Sequence, residues 1–258
     1  MFIKVDAARL YSTSFGRPES PVLLAIGGWI GSWELWAEPF SFLSRHWHVI
    51  AYDHRGSGAT VAPVESITHD QLVDDVFAVL DAYGIDNCVL AAESAGALTA
   101  LSAALRHPQR ISGLVIVDGA YYTPGQLENM PFAHGLRNAY PATLKHFVDL
   151  CITEPDSDHI KQWGVRILER ATQAAAIALY VLPSGIDIRA GLPGIAQPAL
   201  ILHGENDRLV TLAQSQWLAD ALPNSRLAII AGAGHVPTVT FPGEVAREIN
   251  NFFGRPSA

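Results

Sequence analysis

Ser94, Asp207 and His235 have the residue types and the chain order needed for nucleophilic catalysis. Ser94 stands in the run Ala92-Glu93-Ser94-Ala95-Gly96, between an apolar segment and a helical one. A tight strand-to-helix turn presents a serine hydroxyl only if the positions two before and two after it are small, as they are here. The same serine could instead cap the helix. Its chemistry therefore depends on the partners that the fold supplies.

The partners of Ser94 are predicted in two later loops. A serine hydroxyl is a weak nucleophile until a histidine takes its proton, and a carboxylate orients that histidine. His235 follows the last predicted strand in a glycine-flanked loop, and Asp207 follows the strand before it. Since the carboxyl ends of parallel strands meet at one edge of a sheet, we predict a triad of Ser94, Asp207 and His235. Asp118, which ends another predicted strand, is a competing acid.

Acyl transfer also needs hydrogen-bond donors for the oxyanion that forms at the attacked carbonyl. The backbone N–H of Ala95, directly after the nucleophile, is one predicted donor. The second is expected from the glycine-rich loop 27–33, where glycines let the backbone approach a ligand closely. Trp29 is the predicted donor in this loop, and Gly28 is the alternative.

Short apolar runs alternate with helix-length segments, and these elements must position the triad. The runs are apolar throughout, as expected of parallel strands covered on both faces: 22–26, 48–52, 88–92, 114–117, 199–202 and 227–230. Amphipathic patterns predict helices near 72–80, 97–105, 212–222 and 244–253. The first twenty residues indicate an antiparallel edge hairpin. We therefore predict an α/β fold with a mostly parallel sheet of about eight strands, flanked by helices.

The alternation of strands and helices breaks between residues 121 and 195. Apolar residues there follow helical spacing, and prolines divide the segment into short helices: Pro124, Pro131, Pro141, Pro155 and Pro183. We predict a core domain of residues 1–120 and 196–258. A helical cap, residues 121–195, would be inserted between the strands ending near Asp118 and beginning near Ala199.

The composition limits the kinds of partner. The 258-residue chain is 49% hydrophobic and 16% charged, with a net charge of −8 at pH 7 and no run of basic residues. This pattern argues against binding to nucleic acid or to an anionic membrane. Cys88 and Cys151 give no disulfide framework, and no Cys/His spacing indicates a zinc site. We therefore expect no metal. Because neither a signal peptide nor a membrane-spanning run is visible, we expect a cytoplasmic protein.

The motifs resemble those of the α/β-hydrolase superfamily, in particular its small capped esterases and lactonases, over nearly the whole chain. The similar segments are Gly27-Gly28-Trp29, Asp53-His54-Arg55-Gly56-Ser57-Gly58, the elbow at 92–96, the acid loop 204–207 and Gly234-His235. Two positions depart from the family pattern. Gly27 stands where a histidine is frequent, and Ala92 replaces the first glycine of the elbow. The resemblance implies the α/β-hydrolase fold with a cap that roofs the pocket, and a structural role for the turn 53–58.

The resemblance further implies a serine hydrolase that needs no cofactor and cleaves a carboxylic ester or lactone through an acyl-enzyme on Ser94. Relatives with an aspartate nucleophile, such as haloalkane dehalogenases and epoxide hydrolases, are excluded because the nucleophile here is a serine. Two other functions stay open: carbon–carbon bond hydrolysis of a diketone with the same triad, and a ligand receptor with little turnover. Glu93 is expected to be a loop or hydrogen-bonding residue.

The expected partner is a small ester or lactone. Few charged residues lie near the motifs, which favours a neutral, largely apolar substrate. The residues predicted to bind it are Trp29, Phe132, Phe147, Trp163 and Val236. Further candidates in the cap are Tyr121, Tyr122, Met130 and Tyr180. We expect a monomer or a homodimer.

Overall fold

The protein is built on one eight-stranded sheet, in a computed structural model that describes residues 1–123 and 125–254. Pro124 and residues 255–258, which the sequence assigns to the cap and the core, lie outside these ranges. The strands are β1 Phe2–Val5, β2 Ala8–Phe15, β3 Val22–Ile26, β4 His48–Tyr52, β5 Cys88–Glu93, β6 Ile111–Val117, β7 Ala199–Gly204 and β8 Ser225–Ile230. Their order across the sheet is β1-β2-β4-β3-β5-β6-β7-β8.

The sheet is parallel from β4 to β8, and β1 and β2 form an antiparallel hairpin at the other edge. Every residue of β4, β5 and β7 is buried, because helices cover both faces of these inner strands. This is why their sequences are apolar without alternation. The edge strand β8 is only partly buried. The α/β class and the mostly parallel sheet of about eight strands are confirmed.

Ten α-helices lie within the described residues. They are α1 Ala37–Leu43, α2 His69–Ala82, α3 Gly96–Arg106, α4 Pro131–Asn138, α5 Tyr140–Cys151, α6 Asp158–Leu168, α7 Gln173–Val181, α8 Leu212–Ala221, α9 Pro237–Thr240 and α10 Pro242–Phe252. On one face of the sheet, α2, α3 and α8 pack around strand residues such as Leu24. On the other face, α1 and α10 pack around the adjacent strand residues, such as Leu23. Successive strand residues thus serve two apolar cores.

The segment between β6 and β7 carries α4 to α7, and its described residues contain no strand. A third apolar cluster joins Trp29 and Ile30 of the loop after β3 to Leu144 and Val148 of α5. The helices between β6 and β7 therefore pack directly over the loop expected to hold the oxyanion. The division into a core domain and a cap domain stays a prediction. None of the helices in the described residues is long and apolar enough to cross a membrane.

Candidate active site

Ser94 occupies the sharp turn between β5 and α3. Its backbone φ is +49°, in the left-handed region that is unfavourable for a residue with a Cβ. Hydrogen bonds hold this conformation, since the Ser94 N–H donates to the carbonyl of Val117 and the Ser94 carbonyl accepts from Ala120, both at 2.9 Å. The N-cap of α3 is Ala95. The Ser94 side chain is therefore not a helix cap, and its hydroxyl is available for chemistry.

The elbow is tight on its helix side because α3 starts against the loop after β3. A Cβ added to Gly96 would lie 2.7 Å from the carbonyl oxygen of Gly27, so this position requires glycine. The same Cβ would lie 3.6 Å from the Cβ of Ala92, an ordinary van der Waals distance. An alanine is therefore accommodated at the first small position. The departure at Ala92 leaves the turn intact.

The structure brings Ser94, His235 and Asp207 into one hydrogen-bonded chain. The Nε2 atom of His235 lies 2.8 Å from the Ser94 Oγ, and its Nδ1 atom lies 2.8 Å from the Asp207 Oδ2. Both side chains behind the serine are buried, with 2% of His235 and none of Asp207 exposed. When Nδ1–H donates to the carboxylate, Nε2 is left to accept the proton of the serine hydroxyl.

The groups around His235 and Asp207 set the charges of these two side chains. Burial lowers the pKa of His235, but the Asp207 hydrogen bond and the charges of Asp207, Asp118 and Glu93 outweigh it, so the pKa is raised from its ordinary value of 6.5. Burial raises the pKa of Asp207, but the hydrogen bond and charge of His235 and two backbone N–H groups outweigh that and lower it. Asp207 is therefore a charged carboxylate whose ion-pair partner is the protonated histidine.

Asp118, the competing acid, makes no hydrogen bond with His235. Its Oδ1 accepts from the Gly204 N–H at 2.9 Å and lies 3.0 Å from the Nδ1 of His203. Burial raises the pKa of Asp118 well above its ordinary value, which favours the neutral acid. The pKa values of these two neighbouring carboxyl groups are thus shifted in opposite directions, that of Asp207 down and that of Asp118 up.

Asp118, His203 and Asp207 also have the residue types of a metal site, with ligand atoms within 4.8 Å of one another. Hydrogen bonds within the protein already engage all three side chains, although the Asp118 Oδ2 has no partner among the described residues. The Nδ1 of His203 lies 2.9 Å from the Ser215 Oγ, and Asp207 is bonded to His235. We interpret the cluster as the scaffold of the acid loop.

The predicted oxyanion donors lie beside Ser94, the predicted nucleophile. Trp29, Ala95 and Ser94 line the same cavity. Among the described residues, no hydrogen bond uses the backbone N–H of Trp29 or of Ala95. The loop approaches the nucleophile so closely that a Cβ at Gly28 would lie 3.0 Å from the Ser94 Cβ. Two backbone donors are thus available next to the serine.

The turn after β4 supports the oxyanion loop from behind. The Nε2 of His54 lies 3.2 Å from the carbonyl oxygen of Gly28. Asp53 accepts from two backbone N–H groups, that of Trp33 at 2.8 Å and that of Ala59 at 2.7 Å. The first of these fixes the end of the loop. The turn 53–58 therefore has the structural role that the resemblance implies.

The end of α5 contacts the histidine loop. The His235 N–H donates to the carbonyl of Cys151 at 2.8 Å, and the Gly234 N–H donates to Glu154 Oε1 at 2.9 Å. A Cβ at Gly234 would lie 2.5 Å from the Cys151 carbonyl oxygen, so glycine is needed for this approach. Sequence reasoning missed Cys151 and Glu154 because bonds to a distant loop leave no local pattern.

Two cavities meet at Ser94 and His235. The larger, of about 780 Å³, lies under α4, α5 and α7, and the smaller, of about 60 Å³, has almost entirely apolar walls. The five predicted substrate-binding residues line them: Phe132 the larger, Trp163 and Val236 the smaller, Trp29 and Phe147 both. The larger cavity also contacts Met130 and Tyr180.

Tyr121 and Tyr122, expected as further lining residues, lie outside both cavities. The Tyr121 hydroxyl donates to the carbonyl of Gln214 at 3.1 Å, and its ring stacks on Trp217 with centroids 6.0 Å apart. The guanidinium of Arg189 lies 3.6 Å from the ring centroid of Tyr122. These contacts tie the start of the segment to α8 and its neighbours. These contacts favour a packing role for the two tyrosines, the other interpretation that the sequence leaves open.

Glu93 is the last residue of β5 rather than a loop residue, and it is 1% exposed. Its Oε1 accepts from the hydroxyl of Thr238 on α9 at 2.7 Å, as expected of a hydrogen-bonding residue. Its Oε2 has no hydrogen-bond partner among the described residues. Burial raises the pKa of Glu93 to about 7, against the opposing effects of Thr238 and His235. Glu93 lines the smaller cavity.

Comparison with known proteins places this site in a family. Residues 22–238, most of the chain, match the family model described as serine aminopeptidase, S33. The chain belongs to this family. The matched range includes the loop after β3, the elbow, the acid loop and His235. The membership of the α/β-hydrolase superfamily inferred from the motifs is thereby confirmed.

Curated relatives of this S33 protein are hydrolases by name. The putative carbamate hydrolase RutD of Caulobacter vibrioides is 32% identical over 235 residues, covering 86% of this chain and 86% of the relative. RutD of Pseudomonas savastanoi pv. phaseolicola is 28% identical, with coverage of 91% and 94%. The pimeloyl-[acyl-carrier protein] methyl ester esterase of Nitrosospira multiformis is 26% identical, with coverage of 94% and 97%.

Solved structures share the fold of this S33 protein. The enol-lactonase of Burkholderia xenovorans superposes with a TM-score of 0.91 at 24% identity, covering 99% of this chain and 100% of the other. An esterase of Exiguobacterium antarcticum superposes with a TM-score of 0.89 at 21% identity, covering 98% of each chain. At these identities the likeness concerns the α/β-hydrolase fold. Family and relatives together identify the protein as a hydrolase.

Proposed function

We propose that this S33-family protein is a serine hydrolase that cleaves a carboxylic ester or lactone through an acyl-enzyme on Ser94. The observation that carries the proposal is the chain Asp207–His235–Ser94, with both histidine contacts at 2.8 Å. The positive φ of Ser94 and the two unused N–H groups beside it support the same chemistry. These are the parts that acyl transfer requires: a nucleophile, a base, an orienting carboxylate and oxyanion donors.

The mechanism follows from this arrangement. The Nε2 of His235 takes the hydroxyl proton as Ser94 Oγ attacks the substrate carbonyl, and Asp207 stabilises the imidazolium that forms. The Ala95 N–H and a second N–H, from Trp29 or alternatively Gly28, donate to the oxyanion. When the tetrahedral intermediate collapses, the imidazolium gives its proton to the leaving alcohol. Water activated by His235 then cleaves the acyl-enzyme and restores the serine.

The cavities favour a small, largely apolar substrate. Trp29, Phe132 and Phe147 pack edge-to-face or tilted around the larger cavity, with ring centroids between 5.0 and 5.6 Å apart. Trp163 and Val236 line the smaller one. We infer that one part of the ester enters each cavity, because Ser94 and His235 line both. The substrate carbonyl then lies at the junction, beside the nucleophile.

A carbamate hydrolase is a second candidate, favoured by the name of the 32% identical Caulobacter relative. The same triad can attack a carbamate carbonyl, because the oxyanion forms in the same place. A carbamate adds an N–H donor to the substrate, and Glu93, which lines the smaller cavity with Ser94, has one carboxyl oxygen without a partner among the described residues. Comparing an aryl carbamate with the matching aryl ester separates the two candidates by their kcat/KM values.

The test combines covalent labelling and turnover. A fluorophosphonate probe should label the purified protein, and p-nitrophenyl acetate should be hydrolysed; Ser94→Ala should lose both while keeping its circular dichroism spectrum and Tm. Ser41→Ala, which changes an exposed serine far from the triad in sequence, is the matched control and should keep both. Equal turnover in wild type and Ser94→Ala would overturn the proposal. Saturable binding without turnover would favour a receptor, and turnover of a vinylogous diketone alone would favour carbon–carbon bond hydrolysis.

A further inference from the structure

Glu93 is the one residue with a carboxyl side chain among the described, mostly apolar residues that line the smaller cavity. Glu93 lines it beside Ser94 and His235, among residues such as Ile152 and Trp163. At about 60 Å³ the cavity has room for a group of a few heavy atoms. An apolar group fills such a space without any need for a carboxyl. The presence of Glu93 at this cavity therefore needs a separate explanation.

One oxygen of the Glu93 carboxyl has a hydrogen-bond donor, and the other has none among the described residues. Thr238, itself fully buried, donates its hydroxyl proton to Glu93 Oε1 at 2.7 Å and fixes the side chain in one orientation. Oε2 has no hydrogen-bond partner within the described residues, although Glu93 is 1% exposed. A buried carboxylate oxygen without a donor is costly, and such groups in proteins usually meet a partner from a ligand or water.

We propose that Glu93 Oε2 is a specificity determinant that receives a hydrogen-bond donor carried by the part of the substrate in the smaller cavity. This inference rests on the proposed function of Ser94. The class of substrate is an ester whose short group ends in a hydroxyl, an N–H or an ammonium. The apolar walls enclose the stem of that group, and the carboxylate binds its tip. A plain alkyl group of equal size fits the same space but leaves Oε2 without a donor.

The charge of Glu93 depends on its neighbours. The titratable groups that face it are His235 and Cys151, and Cys151 has its pKa raised well above the ordinary value by burial and by Glu93 itself. Because the pKa of Glu93 is raised to about 7, the carboxylate gains population as pH rises through neutrality. The preference for an ammonium-bearing substrate should therefore increase across this range. A ratio of two substrates at one pH cancels the titration of His235, which both need.

The experiment compares isosteres that differ by hydroxyl for methyl. One pair varies the acyl side, p-nitrophenyl 3-hydroxypropanoate against butanoate; the other varies the alcohol, 2-hydroxyethyl acetate against propyl acetate. In one pair the wild-type ratio of kcat/KM should favour the hydroxyl, and Glu93→Met should lower that ratio about 10- to 100-fold, as expected for a hydrogen bond to a charged group. Glu65→Met makes the same change at an exposed carboxyl and should leave both ratios unchanged.

Binding to Ser94→Ala separates this inference from the proposed function. Calorimetry with the same pairs should show tighter binding of the hydroxyl isostere in Ser94→Ala, and loss of that preference in Ser94→Ala/Glu93→Met. If no ester is turned over but this preference is present, the proposed function fails and the Glu93 inference stands. If both pairs show equal ratios in wild type and Glu93→Met, the inference is overturned. If Glu93→Met does not fold, Glu93→Gln, which has the same shape but no charge, is used instead. Glu93→Gln should lose the preference for 3-aminopropanoate over butanoate.

Discussion

His235 is buried near three carboxyl groups, those of Asp207, Asp118 and Glu93, and their charges set the pH at which it can act as the proposed base. The charge of Asp207 favours the imidazolium directly, through a 2.8 Å contact, and those of Asp118 and Glu93 act in the same direction. Burial opposes them but is outweighed. The histidine therefore holds its proton to a higher pH than an isolated imidazole does. Its role as the base requires the neutral form.

The first prediction concerns the acid limb of the pH profile. Because the pKa of His235 is raised, kcat/KM for an ester should be high above that pKa and fall as pH decreases through it, with a midpoint above 6.5. In Asp207→Asn the largest raising effect is gone, so the midpoint should move down. The rate should also fall by about 10⁴-fold, since the imidazole loses its orientation. The measurement is kcat/KM between pH 5 and pH 9 in constant ionic strength.

Asp118→Asn is the matched control for this prediction. It makes the same chemical change at a carboxyl that has no hydrogen bond to His235 and whose pKa is raised by burial, so that its charged form is less populated than that of Asp207. Its loss of rate should be small beside that of Asp207→Asn. An Asp118→Asn enzyme as impaired as Asp207→Asn would show that the histidine uses the other acid.

The sequence was sufficient to predict the geometry of the triad. It was not sufficient to predict that one carboxyl oxygen of Glu93 has no partner among the described residues. Ser94 and Asp207 follow the buried strands β5 and β7, and His235 follows the partly buried edge strand β8, so the parallel sheet brings all three to one edge. Their hydrogen bonds follow from that placement. The free Oε2 of Glu93 depends instead on where Thr238 and the cavity walls lie in space. No spacing along the chain carries that information.

At the scale of elements, the sequence predicted the positions of the inner strands, but for the helices after β6 it predicted only that short helices are present. β4, β5 and β7 are buried along their whole length, and their apolar runs mark them directly. The helices α4 to α7 are short, and isolated helices of this length are marginal in water. Packing against Trp29 and against one another stabilises them. Their bounds therefore depend on tertiary contacts that the sequence pattern does not reveal.

The contact between α3 and the oxyanion loop leads to the second prediction. Gly96→Ala places a methyl group 2.7 Å from the Gly27 carbonyl, and a backbone atom cannot yield as a flexible side chain does. The loop should be displaced, with a loss in kcat of about 10²- to 10³-fold, the effect of losing one oxyanion donor. Fluorophosphonate labelling rates and kcat/KM measure this loss. Gly194→Ala, where an added Cβ meets nothing within 4 Å, should leave both unchanged. If Gly96→Ala keeps the wild-type rates, the contact with the Gly27 carbonyl does not require glycine at position 96.

At the scale of the whole molecule, one buried ion pair joins the turn behind the oxyanion loop to α2. Arg55 follows β4 and donates two hydrogen bonds to Asp75, at 2.7 and 2.9 Å, and their side chains are 1% and 0% exposed. Burial raises the pKa of Asp75 even though Arg55 opposes that shift. In buried ion pairs the cost of taking the two charges out of water can exceed their mutual attraction. Such a pair is costly to break but is not a net source of stability.

The third prediction tests this balance by comparing single and double substitutions. Asp75→Leu leaves the Arg55 guanidinium buried without a partner, and the free energy of unfolding should fall by about 3–5 kcal/mol. Adding Arg55→Met removes the buried charge as well, and the double variant should recover most of that loss because apolar groups pack in the same space. Asp149→Leu breaks the exposed pair with Lys145 and should cost less than about 1 kcal/mol. Urea unfolding followed by circular dichroism measures all three, and a double variant no more stable than Asp75→Leu would show that the pair itself stabilises the fold.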